Sequence, residues 1–81
     1  MLVKVFVTPR REILDPQGRA VEQSLRSLGF DNVSGVRVGR YITLDVRASS
    51  PDEARAEARR MCEQLLANPV IEDYRFEVEG S

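Results

Sequence analysis

Hydrophobic and polar residues alternate with the period of a β-strand near both ends of the chain. In Leu2–Thr8 valines occupy every second position, and in Val70–Glu79 apolar residues alternate with charged ones. Tyr41–Ala48 shows the same alternation and is rich in β-branched residues. Asn32–Val38 precedes it with only Gly39-Arg40 between, a spacing typical of a two-residue hairpin. These segments predict four strands.

The first helical segment is Pro16–Leu28, whose apolar residues recur at helical spacing. Asp15 precedes it as a helix-capping residue, and Gly29 follows it where a left-handed backbone ends many helices. Gly18 is unusual because glycine inside a helix costs about 1 kcal/mol relative to alanine. That cost indicates a close approach at Gly18. Plain capping and an anion or partner contact both remain open for this helix start.

The second helical segment begins after Ser50, which forms a capping box with Glu53. The helix is expected to end near Asn68, because a proline follows directly. Its apolar stripe includes Cys62. Since the chain has no histidine and no second cysteine, Cys62 is interpreted as a buried structural thiol.

The order strand, helix, strand, strand, helix, strand predicts an α+β fold with a single domain, residues 1–81. Right-handed crossovers place both helices on one face of a four-stranded antiparallel sheet, the ferredoxin-like arrangement. The hairpin register pairs Val38 with Tyr41. A bulge at Gly35 is the alternative, since it would shift that register by one residue.

The face of the sheet opposite the helices is expected to remain uncovered. Its apolar residues from the first strand and the hairpin are Leu2, Phe6, Val36, Val38 and Tyr41. Burying a patch of about 300–600 Å² at roughly 25 cal/mol per Å² gives a gross gain on the order of 10 kcal/mol. We therefore expect this face to form a homo-oligomer, either a dimer or a tetramer.

Composition narrows the possible functions. The chain has 81 residues, 12 Lys plus Arg against 13 Asp plus Glu, no histidine and one cysteine. The near-neutral charge argues against general binding to nucleic acid or to an anionic membrane. Short apolar runs and a strand-like start argue against a membrane span and a secretory signal, so the cytoplasm is the expected location. Imidazole-based catalysis and a Cys/His zinc site are excluded.

Charged residues offer candidate contacts but form no catalytic set. Arg10, Arg11, Arg37 and Arg40 are either solvated surface or a site for phosphate and carboxylate groups. The acidic residues of the last strand are expected along a solvent edge rather than around a metal. They are Glu72, Asp73, Glu77 and Glu79. We expect no catalytic residue, cofactor or metal in this chain.

Three motifs resemble PurS, the small subunit of bacterial phosphoribosylformylglycinamidine synthase. They are LDPQG at residues 14–18, VRVGRY at 36–41 and CEQLLANPVIEDY at 62–74. The resemblance spans essentially the whole chain. One departure is Arg40, where the family usually has lysine. Arginine keeps the charge but puts in doubt any contact that needs a compact ammonium group.

The resemblance implies a role in de novo purine synthesis, where formylglycinamide ribonucleotide, ATP and glutamine yield formylglycinamidine ribonucleotide, glutamate, ADP and phosphate. In the family a large synthetase subunit uses ATP and Mg²⁺, a glutaminase subunit releases ammonia, and PurS brings the two together without a catalytic residue. The residues expected to contact these partners are Arg10, Arg11, Asp15, Gln17, Gly18, Arg37, Arg40 and Asn68. A different class stays open, a regulatory domain that binds a metabolite at its dimer interface beside Arg37 and Arg40.

Overall fold

The computed structural model describes residues 1–79, and in them the sheet has three strands. The elements are β1 (Leu2–Pro9), α1 (Pro16–Ser27), β2 (Arg40–Asp45), α2 (Pro51–Met61), a π-helical turn (Cys62–Leu66) and β3 (Glu72–Glu79). β1 is the central strand and pairs antiparallel with both β2 and β3. The last two residues of the predicted domain, Gly80 and Ser81, lie outside the described residues.

The core is a layer of β1 side chains packed against α2. Val3, Val5 and Val7 point to the same side of the strand and are buried. α2 meets them with Ala58, a small residue that lets the helix lie close to the sheet, and Ala54 on the same helix is buried as well. Burial of each valine contributes about 1.5–3 kcal/mol, so this layer is a main source of hydrophobic stabilisation in the fold.

Both predicted helix starts are confirmed, although only one of the two hydrogen bonds of the predicted capping box forms. The Glu53 amide donates to the Ser50 hydroxyl at 3.1 Å, as expected. The Glu53 carboxylate, however, accepts from the hydroxyl and amide of Ser49 instead of from Ser50. These hydrogen bonds lower the pKa of Glu53 below its ordinary value.

α2 continues directly into a turn of π-helix. At Cys62 the α-helix gives way to the π-helical turn, which ends at Leu66, close to the predicted end. Cys62 is fully buried, as predicted, and burial raises the pKa of its thiol. The wider turn leaves Leu65 83% exposed while Ala67, just beyond it, is buried.

The predicted strand Asn32–Val38 is wrong, and with it the hairpin and the pairing of Val38 with Tyr41. Gly39 is explained by close approach rather than by a hairpin turn, because a Cβ on it would overlap the carbonyl oxygen of Val7. Gly35 has a φ of 67°, but it lies in an irregular segment and not in a strand bulge.

The prediction of two helices on one face of the sheet is also wrong, because only α2 packs there. α1 makes no substantial contact with the strands. The molecule is consequently elongated, with extents of 50 × 27 × 14 Å and a radius of gyration of 16.0 Å. A compact chain of this length has a radius of gyration of about 12 Å.

Candidate interaction surfaces

α1 and residues 33–38 pack against each other and form an arm, residues 16–38, beside the sheet. Gly18 is the buried residue of α1. A Cβ at Gly18 would overlap the carbonyl oxygen of Val36. The close approach that glycine indicated at this position is therefore made by the chain's own backbone, and Gly18 is not available as an exposed contact.

Side chains from the start and one side of α1 bind backbone groups of residues 33–38. The Val38 amide donates to Asp15 at 2.7 Å, the Val36 amide donates to Glu22 at 3.4 Å, and Arg26 donates to the Val33 carbonyl at 2.8 Å. Because these backbone groups find partners on α1, they do not enter a strand ladder with β2. This is the physical reason for the missing fourth strand.

Asp15 occupies the predicted N-cap position but uses its carboxylate differently. It makes no side-chain capping hydrogen bond to α1. The hydrogen bond from the Val38 amide is the main cause that lowers the pKa of Asp15, and the nearby amides of Gly18 and Gln17 add to the effect. The ionised carboxylate of Asp15 therefore connects the start of α1 to Val38 at the end of the arm.

The apolar side of α1 is uncovered. We call Val21, Leu25 and Leu28 the α1 stripe. Val21 is 42% exposed and Leu28 is 74% exposed, while Leu25 is half-buried. Phe30 follows the helix and is 53% exposed. Since α1 has no substantial packing on the sheet or on α2 within residues 1–79, the stripe is an apolar surface without a partner in this chain.

An open cleft of about 720 Å³ lies between the loop after β1, the start of α1 and residues 34–37. Arg11, Arg19 and Arg37 line it together with Asp15, and we call it the arginine cleft. It brings together three of the predicted partner residues, Arg11, Asp15 and Arg37. Arg19 also lines it, at the helix start where an anion or partner contact was one of the two possibilities.

A second group of predicted residues surrounds Glu72 at the start of β3. Arg40 donates to both carboxylate oxygens of Glu72 at 2.9 and 3.0 Å, and to the Leu66 carbonyl at 2.9 Å. The Asn68 amide donates to the same carboxylate at 2.8 Å. These contacts lower the pKa of Glu72, the Arg40 hydrogen bond first and the Asn68 hydrogen bond second.

Arg10 fastens the loop before β3 to the end of β1. Its guanidinium donates to the Pro69 carbonyl, and its amide donates to the Ile71 carbonyl at 3.0 Å. Arg10 and Arg40 thus hold the chain between the π-helical turn and β3 in place. The contact of Arg40 with both carboxylate oxygens of Glu72 uses two N–H groups of one planar guanidinium. A lysine at this position would keep the charge but could not match this two-point geometry.

The sheet face opposite α2 carries part of the predicted oligomer surface. Leu2, Phe6 and Tyr41 lie there, as predicted, and the rings of Phe6 and Tyr41 stack with centroids 5.0 Å apart. Val36 and Val38 do not lie there, because they belong to the arm. The apolar part of this face is therefore smaller than expected.

Charged residues cover much of the same face. The Arg75 guanidinium lies 3.9 Å from the centroid of the Phe6 ring and pairs with Glu77 at 2.9 Å. Lys4 pairs with Glu79 at 2.5 Å, and this pair raises the pKa of Lys4. An oligomer contact through this face, a prediction that is still untested, would have to accommodate these ion pairs.

Over residues 1–79, no group of three or more His, Cys, Asp or Glu side chains is placed to hold a metal ion. In the same range, no helix combines the length and the hydrophobicity that crossing a bilayer requires.

A small sheet backed by one helix, with a second helix held out on an arm, defines a small α+β protein that exposes an apolar helix side and an arginine-lined cleft. The family model PurS, described as phosphoribosylformylglycinamidine (FGAM) synthase, matches residues 2–80. The chain belongs to the PurS family, the subunits of FGAM synthase in purine biosynthesis.

Relatives in the PurS family are similar to this chain, in sequence or in structure, over nearly its full length. The PurS subunit of Synechocystis is 52% identical over 77 residues, which cover 93% of this chain and 75% of that protein. A solved PurS structure from Bacillus subtilis has a TM-score of 0.85 and 46% identity and covers 98% of both chains. A chain in a structure described as PurLQS from Thermotoga maritima has a TM-score of 0.81 and 34% identity, covering 95% of this chain and 96% of that one.

Proposed function

We propose that this chain is a non-catalytic subunit that holds the synthetase and glutaminase subunits of FGAM synthase together and so supports the passage of ammonia between them. In this proposal ATP and Mg²⁺ bind the synthetase subunit and not this chain. The observation that carries the proposal is the arm, whose apolar α1 stripe is exposed in the single chain.

A short helix needs packing to be stable. Isolated helices shorter than about 12–15 residues are marginal in water, and α1 has 12 residues. Burying a leucine such as Leu28 contributes about 1.5–3 kcal/mol. Contact with another chain would supply this contribution to the arm. The similarity to a chain of the PurLQS structure supports such an assembly.

The first partner of the α1 stripe is a second copy of this chain. β2 is an edge strand, and its residues Ile42 and Leu44 are only partly buried because α2 packs mainly toward β3. If α1 of one copy lies over β2 of the other, both apolar surfaces are covered, and a two-fold axis repeats the contact. The face with Leu2, Phe6 and Tyr41 then stays available for pairing two dimers.

Leu28→Glu tests the second-copy contact. A charge in the stripe should raise the dimer dissociation constant by about tenfold or more, as measured by sedimentation equilibrium. The matched control is Ala56→Glu on the exposed side of α2, which should leave the dissociation constant unchanged. A wild-type chain that sediments as a monomer at micromolar concentration would contradict the proposed dimer.

Gln17→Trp tests the contact with the larger subunits. Gln17 is exposed at the start of α1, and changing it spares Gly18, which the arm needs. In the assembled enzyme the glutamine-dependent rate should fall by about tenfold while the rate with added ammonia stays within about twofold, since only delivery is impaired. Gln64→Trp, at an exposed glutamine of the π-helical turn, is the control.

Two results would count against the bridging role. If both rates fell together, the chain would be needed for the synthetase chemistry itself. If wild-type chain had no effect on glutamine-dependent turnover by the two larger subunits, it would not be a bridging subunit.

A further inference from the structure

The arginine cleft offers guanidinium groups that have few partners in the chain. Within residues 1–79, Arg11 and Arg19 make no ion pair and no side-chain hydrogen bond, and Arg37 donates only to the Pro9 carbonyl at 3.0 Å. A guanidinium presents several N–H donors in a plane, a geometry that matches the oxygens of a phosphate. Most of these donors therefore remain available inside the cleft.

Most carboxylates in the cleft are already occupied. Asp15 accepts from one backbone amide of the arm at 2.7 Å, and Glu22 accepts from another at 3.4 Å. Glu22 also lies 3.6 Å from Arg26. Glu12 is the remaining carboxylate of the lining. The lining thus carries three arginines and three carboxylates and is close to neutral in formal charge, and the hydrogen-bond donors still available in it are those of the arginines.

The cleft also has an apolar wall and a suitable size. Ile13, Leu14 and Val36 line it beside the arginines, and Leu14 is 66% exposed. Its volume of about 720 Å³ lies within the range of about 300–1,000 Å³ usual for small-molecule sites. Such a wall suits a planar, weakly polar group next to the anion.

We propose that the arginine cleft binds a ribonucleoside monophosphate, with the phosphate on Arg11, Arg19 and Arg37 and the base against Ile13 and Leu14. An acidic peptide would use the arginines but not the apolar wall, so the cleft favours the nucleotide. The proposal goes beyond the bridging role and does not depend on it. Arg19 and the α1 stripe lie on different sides of α1, so a second copy on the stripe leaves the cleft accessible.

Calorimetric titration of the full chain with AMP tests this proposal. We expect a dissociation constant of about 1 mM or tighter, with ribose 5-phosphate binding about tenfold more weakly because it lacks the base. Adenosine, which lacks the phosphate, should give no detectable heat. Arg19→Gln should weaken AMP binding by about tenfold. Arg59→Gln is the matched control, since Arg59 is exposed on α2 and has no ion pair within the described residues.

Several outcomes would overturn the proposal. These are no AMP binding at about 10 mM, equal binding of AMP and ribose 5-phosphate, an equal loss in Arg59→Gln, or binding of an acidic peptide in place of AMP. Circular dichroism of Arg19→Gln verifies that the variant is folded. Sedimentation and the glutamine-dependent assay do not involve AMP binding, so failure of this proposal is distinguishable from failure of the bridging role.

Discussion

The sheet half of the molecule and the arm are built in different ways. β1, β3 and α2 enclose a continuous layer of fully buried side chains such as Val5. The arm buries only Gly18 in its helix and is joined by hydrogen bonds between side chains and backbone. Regions with few buried apolar contacts open at low free-energy cost. The sheet half is therefore expected to open at a higher free-energy cost than the arm, which depends on what it contacts.

Two glycines make this contrast measurable. Gly18 and Gly39 both lie so close to a carbonyl oxygen that a Cβ would overlap it. The oxygen near Gly39 belongs to Val7 on the central strand, and the oxygen near Gly18 belongs to Val36 in the arm. The same alanine substitution thus presses on a rigid neighbour in one case and on a movable neighbour in the other.

The largest effect is expected from Gly39→Ala. Because β1 is held by strands on both sides, the overlap with Val7 cannot relax without disturbing the core. We expect the free energy of unfolding to fall by about 3 kcal/mol, measured by urea denaturation. Gly29→Ala is the control: Gly29 has a φ of 100° and open space around it, so it reports only the backbone cost of about 1–2 kcal/mol. A loss at Gly39 no greater than that at Gly29 would contradict a rigid central strand.

Arg40→Gln should have a moderate effect that depends on pH. The pKa of Glu72 lies below its ordinary value, mainly because Arg40 donates to its carboxylate. A lowered carboxylate pKa stabilises the fold at pH values above that of the unfolded group, and this contribution is lost as pH falls through the folded value. Arg40 is 51% exposed as a side chain, so we expect a loss of about 0.5–1 kcal/mol at pH 7.

The pH series supplies the control for Arg40→Gln. The difference between wild type and variant should begin to shrink below about pH 4, where an ordinary glutamate becomes protonated, and should disappear once the pH is below the lowered pKa of Glu72. Arg40→Lys, which keeps the charge but loses the two-oxygen contact, should lie between them. A difference in unfolding free energy that stays constant down to pH 3 would show that the Arg40–Glu72 pair is not its source.

Much of the fold could be predicted because its signals are local. The alternation of β1 places Val5 and its neighbours on one face, and the Ser50 capping box marks the start of α2. Asn32–Val38 carries equally good β-branched residues, yet it forms no strand. Its conformation is decided by Asp15 and Glu22, which bind its amides from another element. A pattern read along one segment does not contain such contacts.

The predicted partner residues Arg37 and Arg40 lie at two different places in the fold, and the sequence could not indicate this for a similar reason. Arg40 and Glu72 belong to strands on opposite sides of β1, where Arg40 is paired with Val7 and Glu72 with Pro9. Only this register brings their side chains together, so sequence spacing does not indicate the pair. Arg37, by contrast, belongs to an exposed segment outside the helices and strands. It lines the arginine cleft.

Gly18→Ala should change global stability least. Alanine gains about 1 kcal/mol of helix propensity over glycine, which offsets part of the cost of moving Val36 away. We expect the free energy of unfolding to stay within about 1 kcal/mol of wild type, while hydrogen exchange at the Val36 and Val38 amides becomes faster. Their partners Glu22 and Asp15 would no longer be aligned.

Ala20→Gly provides the control for Gly18→Ala. Ala20 is exposed on the same helix, so its replacement lowers helix propensity by about 1 kcal/mol without pressing on Val36. If the arm opens independently of the sheet half, Gly18→Ala accelerates amide exchange in residues 33–38 and leaves that of Val5 unchanged. If Gly18→Ala instead destabilised the core as strongly as Gly39→Ala, the arm and the sheet half would unfold as one unit.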